Sequence, residues 1–386
     1  MNNPLEKLPK IALSLCMIVK NERENLPRCL DSVKSYVNEM IIVDTGSEDG
    51  TPELAANYGA TVRYFEWCDD FAAARNYAIS QASGHWVLML DADEELMIES
   101  EDFFKEVAFP SEILAYNITY TEVNDFPTRT PTYRPSLFRN IPELRYVSRL
   151  HEYLTYKNQY IRPEELGDAP SIKIVHYGHF KEKVKQKTIN RNLPILERIR
   201  QKEELSIYLL HCLARMYTET KQIDKAQECY DEAFERLFPN LLSGTLPEDF
   251  SFVPILYDLG MQFFEKTDYE TARLLCQGGL EWCPDFPPIN YLTGVLLNAL
   301  GFPLGATAYF KKCIKLGQDG TYYKWCPFDL IFITTYPAYN LGLMYLQVGQ
   351  PQEALAAFEL ALCFDADFTA AREKADIIRQ YLATQA

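Results

Sequence analysis

Over the first ninety or so residues, apolar runs and amphipathic stretches alternate at short spacing, which is the pattern of parallel βαβ units. The apolar runs Ile11–Val19, Met40–Asp44, Thr61–Trp67 and Trp86–Leu90 are rich in β-branched and aliphatic residues but do not alternate strictly. Strands covered by helices on both faces read this way. Between them Asn25 with Pro27, and Thr51 with Pro52, signal helix starts, and Gly59 and Gly84 signal stops. The first part of the chain is therefore expected to form a Rossmann-like, mostly parallel α/β sheet. From Tyr116 to Val175 the apolar runs become shorter and more polar, and Pro127, Pro131, Pro135 and Pro142 interrupt them. That stretch predicts a mixed, less regular second half.

Beyond Ser206 the period becomes helical and a repeat emerges. Leu341, Gly342, Tyr345, Gly349, Ala354, Phe358 and Ala361 stand at the offsets of a tetratricopeptide repeat of about 34 residues. Aligning Ala214, Gly260, Gly294 and Gly342 brings Ala226, Ala272, Ala306 and Ala354 into one common register. Four repeats follow, at about 207–240, 253–286, 287–320 and 335–368, with insertions around Leu242–Phe252 and Gly320–Thr334. Helix pairs of this kind cannot bury their apolar face alone and stack into an all-α solenoid, whose concave side usually takes a peptide or protein. Three segments are predicted: an α/β domain over residues 1–190, a basic helical linker over 191–205 and a repeat domain over 206–386.

Composition narrows the choice of partners. The formal net charge of −16 argues against a nucleic-acid binder, which needs a surplus of Lys and Arg to neutralise phosphates. Ten cysteines contain no Cys-x-x-Cys pair, and Cys16, Cys29, Cys212, Cys229, Cys276, Cys313 and Cys363 fall within apolar periodic segments. Buried thiols of a reducing compartment fit that usage, so a cytoplasmic location is expected. The run Ile11–Val19 lacks a cleavage site and leads directly into Lys20-Asn21-Glu22, so it reads as a buried strand rather than a signal peptide. No apolar stretch reaches the ~20 residues of a spanning helix, and stable membrane insertion is not expected. One basic island stands out: Lys173, Lys181, Lys183, Lys185, Lys187, Arg191, Arg198, Arg200 and Lys202 face only Glu182 and Glu197. It reads either as a solvated helix face or as a lid over a ligand's phosphates.

Candidate chemistry gathers at strand ends, where open α/β sheets bind ligands. Leu90-Asp91-Ala92-Asp93-Glu94-Glu95 follows the fourth strand and places two carboxylates one residue apart. Like charges so close persist most readily when a hard divalent cation holds them, and such a cation would bridge them to a diphosphate. Val43-Asp44-Thr45-Gly46-Ser47 closes the second strand with another carboxylate and a flexible turn. Asp44 could accept hydrogen bonds from a base or ribose, or cap the turn, and the helix starting near Thr51 offers free backbone N–H groups. Arg75, on a helix lined by Ala72, Ala73, Ala74 and Ala78, is suited to pairing with a phosphate or with an Asp of the site.

These residues resemble a family 2 glycosyltransferase of the GT-A fold. The resemblance rests on Ser14 to Glu22, the Val43 to Ser47 turn, Phe71 to Asn76 and Asp91-Ala92-Asp93, in that order and spacing, and extends more faintly to about residue 190. It implies a nucleotide sugar, usually a UDP-sugar, bound across Val19, Asn21, Glu22, Asp44, Arg75, Asp91 and Ala92. It implies manganese or magnesium at Asp91 and Asp93, with His176 of Val175-His176-Tyr177-Gly178 as a further ligand. Leu150-His151-Glu152 matches the base segment, with Glu152 the candidate base, His151 its rival, and inversion by a single displacement the outcome. The architecture is also similar to peptide S-glycosyltransferases of the sublancin type and to flagellin-linked glycosyltransferase–repeat fusions. Transfer of a sugar to a peptide or protein held by the repeats is therefore expected. The alternatives are a glycan acceptor, or an interaction scaffold, self-dimerising or not, that carries a vestigial sugar-nucleotide fold.

Overall fold

The computed structural model describes residues 12–100, 110–123, 129–177, 188–247 and 253–385. They divide into two compact units, one ending at Phe126 and resuming over Pro131–Arg198, the other comprising Pro127–Thr130 and Ile199–Ala386.

The first unit opens with β1 (Leu13–Val19), α1 (Leu26–Val33), β2 (Glu39–Asp44), α2 (Thr51–Asn57), β3 (Thr61–Tyr64), α3 (Phe71–Ser80) and β4 (Trp86–Met89). Six of the seven β1 residues are buried, so the unbroken apolar run marks a central strand covered on both faces. β1 pairs in parallel with β2 and β4, and β2 with β3. β3 is shorter than the run Thr61–Trp67 suggests. It is the edge strand, mostly exposed, and the chain leaves the ladder after Phe65, whose N–H donates to Asp44 O at 2.9 Å. Gly84 stands where β4 begins because a Cβ there would meet Ser14 Oγ at 2.4 Å and Ala12 O at 2.8 Å.

The second half departs from the expectation of short, broken strands. It contains β5 (Glu94–Ile98), β6 (Ala115–Glu122), β7 (Thr132–Arg139), β8 (Leu144–Val147), β9 (Tyr153–Tyr156), β10 (Gln159–Tyr160) and β11 (Leu166–His176). β11, at 11 residues, is longer than any strand of the first half. The eight-stranded sheet runs β3-β2-β1-β4-β7-β6-β11-β5, and β8 to β10 form a separate antiparallel sheet. Pro135 lies inside β7 rather than ending it. The β6–β7 register shifts between Tyr116 and Ile118, so Pro135 falls at an irregularity of the ladder, where a residue without an N–H costs least. β7 runs antiparallel to β4 and β6, while β11 is parallel to β6 and antiparallel to β5. The mixed pairing brings the end of β11 beside the start of β5. α4 (Leu193–Arg200) follows a short π-helical turn at Thr188–Asn192.

In the second unit α5 (Ile207–Glu219) pairs with α6 (Ile223–Ser243), α7 (Val253–Glu265) with α8 (Tyr269–Trp282), α9 (Pro287–Ala299) with α10 (Pro303–Asp319), and α11 (Thr335–Gln347) with α12 (Pro351–Phe364). α13 (Thr369–Gln385) packs against α12, covering its apolar face with Ala371, Ala375 and Ile378. The glycines of the repeat are sites of close approach. A Cβ on Gly294 would lie 2.7 Å from the Phe310 ring, and one on Gly342 equally close to Phe358. Both rings are fully buried, so the small residue of the first helix accepts the large one of the second. Cys363 is exposed on α12, unlike the buried thiol its apolar neighbourhood suggests. Among the described residues no helix is long and apolar enough to cross a membrane.

Gly342→Ala places a methyl against a ring that has no room to move. The repeat unit is expected to lose about 1–3 kcal/mol of unfolding free energy in urea, whereas Gly349→Ala, with nothing within 4 Å but a positive φ of 75°, is expected to lose about 1 kcal/mol through backbone strain alone. Unchanged stability of Gly342→Ala would contradict the close packing.

Candidate active site

A cavity of about 610 Å³ opens at the carboxyl ends of β1 and β4. The chain leaves β1 through Val19 and Lys20 and leaves β4 into Asp91, and both segments line it. The turn after β4 is tight: Glu94 N–H donates to Asp91 O at 3.0 Å, and Asp91 N–H donates to Glu94 Oε2 at 2.9 Å. This reciprocal pair fixes the backbone that presents Asp91 and Asp93.

Arg75 sits at the middle of the site, projecting from α3 with 6% of its surface exposed. Its Nη2 donates to Asp91 Oδ1 and Oδ2 at 2.9 and 3.2 Å, and its Nε donates to Glu152 Oε1 at 2.6 Å. One guanidinium thus joins the Asp-x-Asp turn to the carboxylate that precedes β9. Burial disfavours the charged form of Arg75, but Asp91 and Glu152 outweigh it and raise its pKa further. Asp91 shows the converse. Burial pushes its carboxyl up, yet Arg75 and then Arg134 hold it below the usual carboxylate range.

On the opposite wall, His176 ends β11 directly across from Glu94 at the start of β5. Its Nε2 lies 3.3 Å from Asp93 Oδ2, with both side chains about one-tenth exposed. Burial works against an imidazolium there, but the hydrogen bond and charge of Asp93, with Glu94 and Asp91 behind, raise the His176 pKa above its ordinary value. A carboxylate oxygen and an imidazole nitrogen at this separation, both lining the cavity beside Asp91, are donor types that would hold a divalent cation, which would supply charge neutralisation there. Among the described residues no three His, Cys, Asp or Glu side chains come together as a ready-made metal cluster.

Of the residues singled out in the sequence, Val19, Glu22, Arg75, Asp91, Ala92, Asp93, His151, Glu152 and His176 all line this cavity. Asn21 and Asp44 stand behind its rim instead. Asp44 accepts from Gly46 N–H at 3.0 Å and from Ser47 N–H at 3.1 Å, while Asn21, with a left-handed φ of 55°, accepts from Glu48 N–H at 2.8 Å. Both shape the turn after β2. His151 also has a left-handed φ of 55°, which sets the bend ahead of β9. Among the described residues of the basic island Arg191 alone lines the cavity, its guanidinium 5.2 Å from the Phe71 ring. Arg198 pairs with Asp69 at 2.8 Å, Arg200 with Glu232 at 2.9 Å, and Lys173 with Glu99. Lys181, Lys183, Lys185 and Lys187 lie outside the described residues.

Sequence reasoning missed Glu94 and Arg134. Glu94 stood next to the Asp-x-Asp as one more acid, and its complete burial gives no local signal. Arg134 comes from β7, which no spacing connects with Asp91, yet it lines the cavity and approaches Asp91 Oδ2 at 3.8 Å.

Taken together, a nucleotide-type α/β sheet with carboxylates at its strand ends, followed by paired helices of one repeating kind, defines a GT-A-like domain fused to a helical repeat array. Residues 14–182 match Glycosyl transferase family 2, and residues 208–236 and 338–367 match the tetratricopeptide repeat. The chain carries a family 2 glycosyltransferase domain followed by tetratricopeptide repeats. It is 34% identical over 275 residues to a tetratricopeptide repeat-containing protein of Synechococcus elongatus, covering 70% of this chain and 66% of that one. It is 25% identical over 231 residues to the SPbeta prophage-derived glycosyltransferase SunS of Bacillus subtilis, covering 58% of this chain and 53% of that one. The match thus spans between about half and two thirds of the length of these relatives. Among solved structures the chain is similar to YrrB, a tetratricopeptide protein with an unusual peptide-binding site, at 19% identity and a TM-score of 0.34 over 48% of this chain and 82% of that one.

The Arg75 bridge makes a stability test. Arg75→Met leaves the buried Glu152 without its cation and Asp91 with Arg134 alone, and is expected to cost about 3–5 kcal/mol in urea unfolding, against less than about 1 kcal/mol for Arg198→Met, whose own side chain is half exposed. Equal losses would mean that the bridge does not carry buried charge.

Proposed function

We propose that the protein is an inverting glycosyltransferase that moves a sugar from a UDP-sugar to a peptide or protein acceptor. The observation that carries this reading is the Arg75 bridge: it ties the Asp91–Asp93 turn, suited to a diphosphate, to Glu152, suited to an acceptor's proton. Displacement at an anomeric carbon needs both, on opposite faces of the sugar. Val19, Glu22, Thr45 and the turn shaped by Asn21 and Asp44 form the end where the nucleoside lies. Asp91, Asp93 and His176 would hold a divalent cation, manganese or magnesium, which would supply charge neutralisation for the departing diphosphate. Arg191, which makes no ion pair among the described residues and faces Asp91, Glu152, Asp93 and Glu22, adds a cation for the same anion.

Glu152 takes the proton of the acceptor nucleophile as that atom bonds the anomeric carbon. The bond from carbon to the diphosphate oxygen breaks, and its electron pair leaves with UDP. His151 is the rival base. Arg75 holds Glu152 in place through its Nε, and burial of the pair limits competing water. The repeats supply the acceptor site, since a solenoid surface offers binding energy remote from the reacting atoms. A cytoplasmic location fits ten unpaired thiols, most of them buried.

The first test is release of UDP from a panel of UDP-sugars by the full chain with manganese, with label from the productive donor followed into protein. EDTA is expected to abolish release and manganese or magnesium to restore it, and Asp93→Asn is expected to weaken donor binding. Full turnover in excess chelator would overturn the cation's role, and label found only in saccharide would move the acceptor to a glycan. The second test is Glu152→Gln, which keeps shape and removes basicity. It is expected to lower turnover by about 10²–10⁴-fold with donor affinity little changed. A loss of only a few-fold would reassign the base to His151.

A further inference from the structure

The Glu94 side chain is completely buried and so needs a full complement of partners. It has them in two directions. Its Oε2 accepts Asp91 N–H at 2.9 Å, and Arg134 grips it with both terminal nitrogens, Nη1 to Oε1 at 2.5 Å and Nη2 to Oε2 at 3.3 Å. The same guanidinium lies over the Tyr120 ring, 5.0 Å from its centroid, and the Tyr120 ring in turn lies 5.7 Å from that of His176. Arg134 also approaches Asp91 Oδ2 at 3.8 Å. A single side chain from β7 therefore reaches three parts of the diphosphate end: the turn through Glu94, the first carboxylate directly, and the His176 wall through Tyr120.

We infer that Arg134, locked by Glu94, is a positioning residue that sets the Asp91–Asp93 turn and the Asp93–His176 pair in the geometry that binds a nucleoside diphosphate with its divalent cation. The inference rests on the donor-site reading above. Arginine is suited to this task and lysine is not, because only a planar fork can bond both oxygens of Glu94 while holding its charge over a tyrosine ring. Glu94, fully buried, reaches the diphosphate site only through Asp91 and Arg134, and Arg134, though it lines the cavity, commits both terminal nitrogens to Glu94, so the effect of the pair is on how well that site is formed. A pair that merely packed β7 against the turn after β4 would affect stability and leave the affinity of the folded protein alone.

The test is calorimetric titration of the full chain with UDP in the presence of manganese, alongside thermal unfolding. Arg134→Lys and Glu94→Gln, each folded by circular dichroism, are expected to bind UDP about 10–100-fold more weakly, the usual effect of losing a group that orients a metal ligand. The double variant is expected to lose no more than the worse single variant, since the two side chains act as one unit. Arg134→Gln gives a second route if Glu94→Gln does not fold. Wild-type affinity in a folded Arg134→Lys or Arg134→Gln protein, or losses that add in the double variant, would overturn the inference while leaving the donor site intact. Failure of the wild type to bind UDP, and GDP offered in its place, would remove the donor-site reading and the inference with it.

Discussion

Everything in the α/β unit is arranged around the burial of one guanidinium between two carboxylates that come from distant parts of the chain. Taking Arg75 out of water is costly, and the cost is offset only because Asp91 and Glu152 approach within hydrogen-bonding distance. That requirement fixes the position of α3 relative to the end of β4 and to the bend before β9. It also explains why the left-handed backbone at His151 is tolerated: the bend delivers Glu152 to its partner. Strain and burial are here two sides of one construction.

The charges form an alternating chain, Glu152, Arg75, Asp91, Arg134 and Glu94, with each cation between two anions. Such an arrangement lets a pocket hold many ionised groups without large repulsion, and beside it Asp93 pairs with His176 at 3.3 Å. The repeat unit is built on the opposite principle. Its contacts are apolar and local, small residues receiving aromatic rings, as Gly294 receives Phe310 and Gly342 receives Phe358.

How much of this was legible follows from the range of each interaction. β1, β2 and β4 were visible because a strand covered on both faces writes an unbroken apolar run, and the repeats because Gly342, Ala354 and Phe358 recur at fixed offsets. Asp91 and Asp93 stood out because two acids so close need a reason. Arg134 and Glu94 did not, since their meeting depends on β7 inserting antiparallel beside β4, a pairing that no local period encodes. Nor did the length of β11 or the place of Pro135, because a ladder irregularity accommodates a proline that single-strand reasoning treats as a break.

The antiparallel pairing of β11 with β5 has a consequence for biosynthesis. Asp93 is made early, but its partner His176 terminates the last strand of the sheet, after nearly the whole domain has left the ribosome. Closing so long a loop is entropically slow compared with forming the β1–β2 pair or a helical hairpin of the repeats. Until β11 docks, the Asp-x-Asp turn stands without the His176 wall of its cavity. A nascent or truncated chain therefore lacks the assembled cavity, and the Asp93–His176 contact forms only once the sheet has been finished.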